Sequence, residues 1–158
     1  MKTIVTLLDL SDMTPKAMEH TERMAKSLKA KVVLMHVLPE DTTPVKARKE
    51  PSPPKRDASI EADYHRLTSL ADYLRQTSVK VEVEQLVDAD IRLTRDECEV
   101  WKPDLIIVGS KSDSPVCHWF TDAPDASAVT PAHCPVVVVP EKQASQAAWD
   151  RWPFDSAA

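Results

Sequence analysis

Asp104-Leu105-Ile106-Ile107-Val108-Gly109-Ser110 is the stretch whose reading decides the fold. Leu105 to Val108 is an unbroken apolar run. A strand with one face in water would alternate, so this run reads as a central parallel strand covered on both faces. Parallel strands need crossover connections, usually helices, and helical patterns stand on either side. Before it, residues 90–101 set Ile91, Cys98 and Trp101 on one side of a helix. After it, a helix over about 122–131 leads to Val136-Val137-Val138-Val139, the last strand.

The same alternation extends to the start of the chain. Residues 2–8 read as a strand and 14–28 as a helix, with Thr14 as N-cap and Pro15 in the first turn, where proline is tolerated. Ala17, Met18, Thr21, Met24, Ala25 and Leu28 share one helix face. Lys31 to Val37 is the second strand. Pro39, Pro44, Pro51, Pro53 and Pro54 then argue against helix or central strand over 39–57, while Lys46, Arg48, Lys49, Lys55 and Arg56 make that stretch a basic surface loop. A helix over 58–76 follows, with Ile60, Tyr64, Leu67, Ala71 and Leu74 on one face. Val79, Val81 and Val83 alternate with Lys80, Glu82 and Glu84, a strand with one face in water. Strands alternating with helices predict an α/β fold, a five-stranded mostly parallel doubly wound sheet with helices on both faces. Residues 1–140 form one domain in this reading, and 141–158 a tail. In such sheets ligands bind beyond the C-terminal strand ends at a switch point, here Asp9 and Gly109.

Composition narrows the function. A chain of 158 residues suits one domain. A net charge of −5 argues against a general nucleic-acid binder. With a single glycine, Gly109, no glycine-rich phosphate loop can be built in the ordinary way. The apolar run Ile4–Leu8 is too short for a signal-peptide core or a membrane span. Three widely spaced cysteines without a CxxC pair fit a reduced cytoplasm.

Three blocks make the chain resemble the universal stress protein family up to Pro140: Val5-Thr6-Leu7-Leu8-Asp9-Leu10-Ser11, Val33-Leu34-Met35-His36-Val37, and Asp104 to Ser110 followed after a helix by His133-Cys134-Pro135-Val136-Val137-Val138-Val139. The resemblance implies the strand order 3-2-1-4-5. Members of that family that bind ATP carry G-x2-G-x9-G-[S/T]. Here Gly109 fills the first position, but the second falls on Ser112, the third on Asp122 and the hydroxyl position on Ala123. Glycines let backbone N–H groups approach phosphate oxygens. Asp122 would instead cap the next helix and place its own carboxylate at the anion site, with Asp113 and Asp125 adding like charge. Asp9 and Val37 match positions that lie by the nucleoside in nucleotide-binding members; a turn aspartate and a core valine are the plain alternatives.

Other constellations carry less. Cys117-His118 and His133-Cys134 flank the helix expected at 122–131, roughly 15 Å apart at helical rise, too far for one ion with ligands at about 2.0–2.3 Å; no metal site is expected. His36, ending an apolar strand, reads as a satisfied core histidine. No G-x-S-x-G elbow supports a hydrolase, and Leu10 stands where a phosphoacceptor site would want a second acid. The basic loop reads as a solvated surface, although an acidic partner would also fit it. Trp149, Trp152 and Phe154 crowd the tail and are expected to dock on the domain, a neighbouring subunit or a protein partner. Charges guard the third strand, an expected edge, while Val136 to Val139 form an unguarded one, a pairing site for a homodimer. The whole reads as a non-enzymatic cytoplasmic binding or regulatory module linked to stress response, with no required cofactor and a degraded ATP motif. The alternative is ATP or AMP held by a divergent loop using Ser110, Ser112 and backbone amides; a scaffold acting through the tail is a third.

Overall fold

The computed structural model describes residues 1–39, 53–111, 113–121 and 134–140. Its elements are β1 (Thr3–Leu8), α1 (Thr14–Leu28), β2 (Lys31–Pro39), α2 (Pro53–Arg75), β3 (Val81–Ala89), α3 (Ile91–Val100), β4 (Leu105–Gly109), α4 (Pro115–Thr121) and β5 (Val136–Val138). The sheet order is β3-β2-β1-β4-β5, and every pairing is parallel. The expected order therefore holds, and "mostly parallel" becomes wholly parallel.

Each face of the sheet has its own core. Ile4, Leu8, Val32, Leu34 and Ile107 pack with α1 and α2 on one side. Val5, Leu7, Val33, Met35, Ile106 and Val108 form the other cluster with Cys98 of α3 and Val116 of α4. All five residues of β4 are buried, as its unbroken apolar run requires. The edges are β3 and β5, and they differ. In β5 Val136 and Val138 are half-buried and Val137 is 39% exposed, while Val139 just beyond is buried and donates its N–H to Val108 O at 3.0 Å.

Four local expectations are corrected. Thr14 is the first helical residue, not the cap: Met13 is the N-cap and offers no side-chain bond. Ser11 supplies the acceptor instead, its Oγ taking the Met13 N–H at 3.2 Å. Next, α2 begins at Pro53, inside the stretch expected as loop; prolines in a first turn lose no hydrogen bond, because those N–H groups have no intrahelical partner. Third, α4 was missed, although Ser114 followed by Pro115 is a helix-start signal: Ser114 Oγ accepts from Cys117 N–H at 3.1 Å. Finally, Glu84 does not stand in water. Trp101, at the end of α3, donates its indole N–H to Glu84 Oε2 at 2.8 Å, and burial together with Glu97 raises the Glu84 pKa. The helix expected at 122–131, most of the basic loop and the aromatic tail lie outside the described residues. No helix among the described residues is long and apolar enough to cross a membrane.

Candidate functional site

After β1 the chain fills the β2 and β3 side of the sheet, then returns to place β4 on the other side of β1. That reversal opens a crevice at the C-terminal ends of β1 and β4. His36, Leu8 and Gly109 form one row across β2, β1 and β4. Val37 is the next residue of β2, while Asp9 and Ser110 come directly after the ends of β1 and β4, so three sequence-predicted residues follow that row. Their roles differ.

Asp9 stitches two loops together. One carboxylate oxygen accepts the Ser11 N–H at 3.0 Å, and the other accepts the Lys111 N–H at 3.0 Å across a separation of 102 residues. Leu10 between them takes a positive φ of 55°, which turns the chain sharply enough for the first of these bonds. Lys111 Nζ lies 3.5 Å from Asp12, a second link between the same loops. Nothing in the sequence singles out the Lys111 amide, because every non-proline residue carries one.

Gly109 is at negative φ, so it is not there for a left-handed turn. A Cβ at this position would meet the Ala17 Cβ at 2.3 Å and Leu8 Cδ2 at 3.2 Å. The absent side chain lets α1 lie directly on the end of β4. Ser110 follows, 2% exposed, with its hydroxyl making no hydrogen bond among the described residues. Thr14, on α1 one turn before Ala17, is fully buried with its hydroxyl likewise unpaired. Thr6 and Thr21, deeper between β1 and α1, are satisfied by contrast. Thr21 Oγ1 donates to Ala17 O at 2.8 Å and sits 2.9 Å from Thr6 Oγ1, so the Thr6 hydroxyl is the donor of that pair.

His36 lies in the row beneath, 1% exposed. Gln85 Nε2 is 3.1 Å from His36 Nδ1 and donates to Ile60 O at 3.1 Å. An amide nitrogen can only donate, so Nδ1 accepts and the imidazole proton is on Nε2. Burial lowers the His36 pKa, with Asp63 and Asp9 partly opposing and Arg66 adding to the lowering; the ring is neutral. Val37 is 1% exposed within the cluster that holds Leu7, Leu86 and Ala89. Its packing is that of a core valine.

The crevice is thus bordered by the buried Ser110 and Thr14 hydroxyls, the Asp9 carboxylate and Lys111. A serine nucleophile needs a base in hydrogen-bond reach, and among the described residues Ser110 Oγ has no hydrogen-bond partner. Burial pushes the Cys98 thiol up to about 12, aided by Glu84, which keeps it an inert thiol. Among the described residues no group of three or more His, Cys, Asp or Glu could hold a metal ion. Ser112, Asp122, Ala123, Asp125 and His133 lie outside the described residues.

Comparison with known proteins places this architecture. The model of the universal stress protein family matches residues 1–140. Among solved structures, the chain is similar to universal stress protein UspA from Lactobacillus plantarum, at 17% identity over 88% of this chain and 97% of that one, TM-score 0.61. It is also similar to an Arabidopsis thaliana universal stress protein family protein solved with AMP bound, at 17% identity over 94% and 99% of the two chains, TM-score 0.54. A third is the universal stress protein from Archaeoglobus fulgidus in complex with dAMP, at 14% identity over 89% and 98%, TM-score 0.52. No curated protein matches in sequence.

Proposed function

The chain belongs to the universal stress protein family, and from that premise we propose that it is a non-enzymatic binding or regulatory module linked to stress response, acting in the cytoplasm through residues 1–140, that does not hold ATP by a glycine-lined phosphate loop. The observation that carries this reading is the double engagement of Asp9. Its carboxylate occupies the Lys111 N–H, a backbone donor in the very loop that would have to cradle phosphate. The one motif glycine that is kept, Gly109, is accounted for by the close approach of Ala17. With Ser112, Asp122 and Ala123 at the other motif positions, a triphosphate would find few free amides and an excess of carboxylates.

A second reading rests on a different observation. The unpaired, buried hydroxyls of Ser110 and Thr14 are unused hydrogen-bonding capacity beside Asp9, and buried polar groups normally find partners. A nucleotide with fewer phosphates, AMP for example, would be held by Ser110, Ser112 and backbone amides of a divergent loop. The AMP and dAMP complexes among its structural relatives favour testing this ligand class first. Thermal unfolding with millimolar ATP, ADP or AMP plus magnesium separates the two. A ligand at a hundred-fold excess over its dissociation constant adds about 2.7 kcal/mol of stability. No shift with any nucleotide is expected; a shift with AMP alone establishes the second reading, and a shift with ATP overturns the Asp9 argument.

The module works as a homodimer paired through Val136, Val137, Val138 and Val139. Support comes from β5 being an edge of three valines with Val137 exposed, a template for a second strand. Light scattering on Val137→Lys, which changes no buried residue, should show the dimer weakened while the monomer stays folded. A wild-type chain that is monomeric at high micromolar concentration would end this proposal.

A further inference from the structure

At the end of the sheet opposite the switch point, the last turn of α1 and the turn joining α2 to β3 enclose a cleft of about 320 Å³, at the lower end of the size range of small-molecule sites. Lys26, Lys29, Thr77, Ser78 and Lys80 supply its polar lining over a floor that includes Ala30 and Val79. We propose that this cleft is a second binding site, separate from the crevice at Asp9, and that it takes a small phosphate dianion, either free phosphate or the monoester of a small molecule.

The charge count points to an anion. Lys26 is occupied by Glu22 at 2.8 Å. Among the described residues neither Lys29 nor Lys80 has an ion-pair partner, although the chain as a whole carries a net −5. Two unmatched cations therefore flank one cavity in an acidic protein. Lysines near helix C-termini commonly serve the last carbonyls and the negative pole of the helix, and that is the competing explanation here. It does not account for Lys80, which stands on neither helix, between α2 and β3, and some of the carbonyls already have backbone partners. Ala25 O receives the N–H groups of Lys29 and Ala30. Leu74 O receives both the N–H and the hydroxyl of Thr77, and Arg75 O receives the N–H of Ser78. The α2 end is closed by its own turn, and the Lys80 ammonium and the Ser78 hydroxyl line the cleft with Lys29 as a second cation. A dianion matches two ammonium groups in charge, and charge-assisted hydrogen bonds are the strong class.

The site is separable from the switch point in one experiment. Amide chemical shifts of the full chain are followed by NMR during titration with inorganic phosphate and, separately, glycerol phosphate, against sodium chloride at matched ionic strength. Saturable shifts are expected at residues 29–30 and 77–80 with at least one phosphate. The double variant Lys29→Gln/Lys80→Gln, both exposed positions, should weaken the response about tenfold or more while leaving the rest of the spectrum in place, since a lost charge-assisted contact is worth roughly that factor. Tighter saturation by the ester names a phosphorylated small molecule as the ligand, and tighter saturation by phosphate names the free ion. Drift identical to that in chloride, or shifts confined to residues 9–11 and 110–111, overturns the proposal.

Discussion

The two loops that meet at the switch point are built by opposite rules. After β1, residues 9–13 hold themselves by polar bonds: Asp9 takes the Ser11 amide, and Ser11 takes the Met13 amide. At the end of β4 the decisive feature is a missing side chain, Gly109 under Ala17, followed by a buried hydroxyl with nothing to bind. The first loop is held by its own polar bonds and reaches across to the second through Asp9 and Asp12. The second depends on its neighbour for shape and, like Thr14 at the start of α1, carries a buried hydroxyl without a partner among the described residues.

The most direct way to break this contrast is Asp9→Ala. It frees two amides that a charged acceptor had satisfied, and should destabilise by about 3 kcal/mol in urea unfolding; Asp9→Asn, which keeps one acceptor oxygen, should lose roughly half as much. A loss under about 0.5 kcal/mol would show that the stitching between residues 9 and 111 is weak. Next in size is Gly109→Ala. Its methyl has to displace α1, so about 2 kcal/mol of destabilisation is expected from overpacking. Pairing it with Ala17→Gly should recover most of that loss, because the double variant restores the clearance; failure to recover would mean that Gly109 serves the backbone after all.

Ser110→Ala sharpens the comparison from the other side. Removing an unsatisfied buried hydroxyl should leave stability within about 1 kcal/mol, on the stabilising side. If a nucleotide raises the wild-type midpoint, the same variant should lose most of that rise. The smallest effect is a slope. His36 has its pKa depressed below 6.5 by burial, so the unfolded chain takes up the proton first. Its contribution is complete above pH 6.5 and is lost as pH falls through the folded value. Stability should therefore decline on acidification from pH 6.5, with a shallower decline in His36→Gln. Glu84, whose pKa is raised mainly by burial, works in the opposite sense, its contribution fading as pH rises above the ordinary carboxylate value. A His36 imidazole that titrates above 6.5 by NMR would contradict the burial argument.

Much of this was legible in residue order. The apolar run of β4, the alternation in β3 and the helix face from Ala17 to Leu28 are periodic signals, and periodicity survives without knowledge of what packs against it. Element boundaries fared worse where a residue has two meanings. Pro53 and Pro54 break a helix interior but open a helix equally well, and only the place of the first hydrogen bond separates the two. Glu84 reads as a solvent-facing charge until α3 brings Trp101 over it. At the site, Asp9 and Gly109 are legible from their positions at strand ends, and Ser110 from the divergent phosphate loop that follows Gly109. Thr14, expected as a cap, is one of the two unpaired buried hydroxyls among the described residues.

By itself, then, the sequence determined the α/β class, the central strand, the family resemblance and the poverty of the phosphate loop, all of which follow from local pattern and from which residue types are present. Tertiary structure alone decided what those residues do. That Asp9 closes on the amide of Lys111, that Gly109 is the space Ala17 needs, and that Lys29 and Lys80 share a cleft are facts about chain segments distant in sequence. Such contacts arise when two helices and a turn are packed onto a common sheet, and no local periodicity encodes which backbone amide or which methyl will be waiting there.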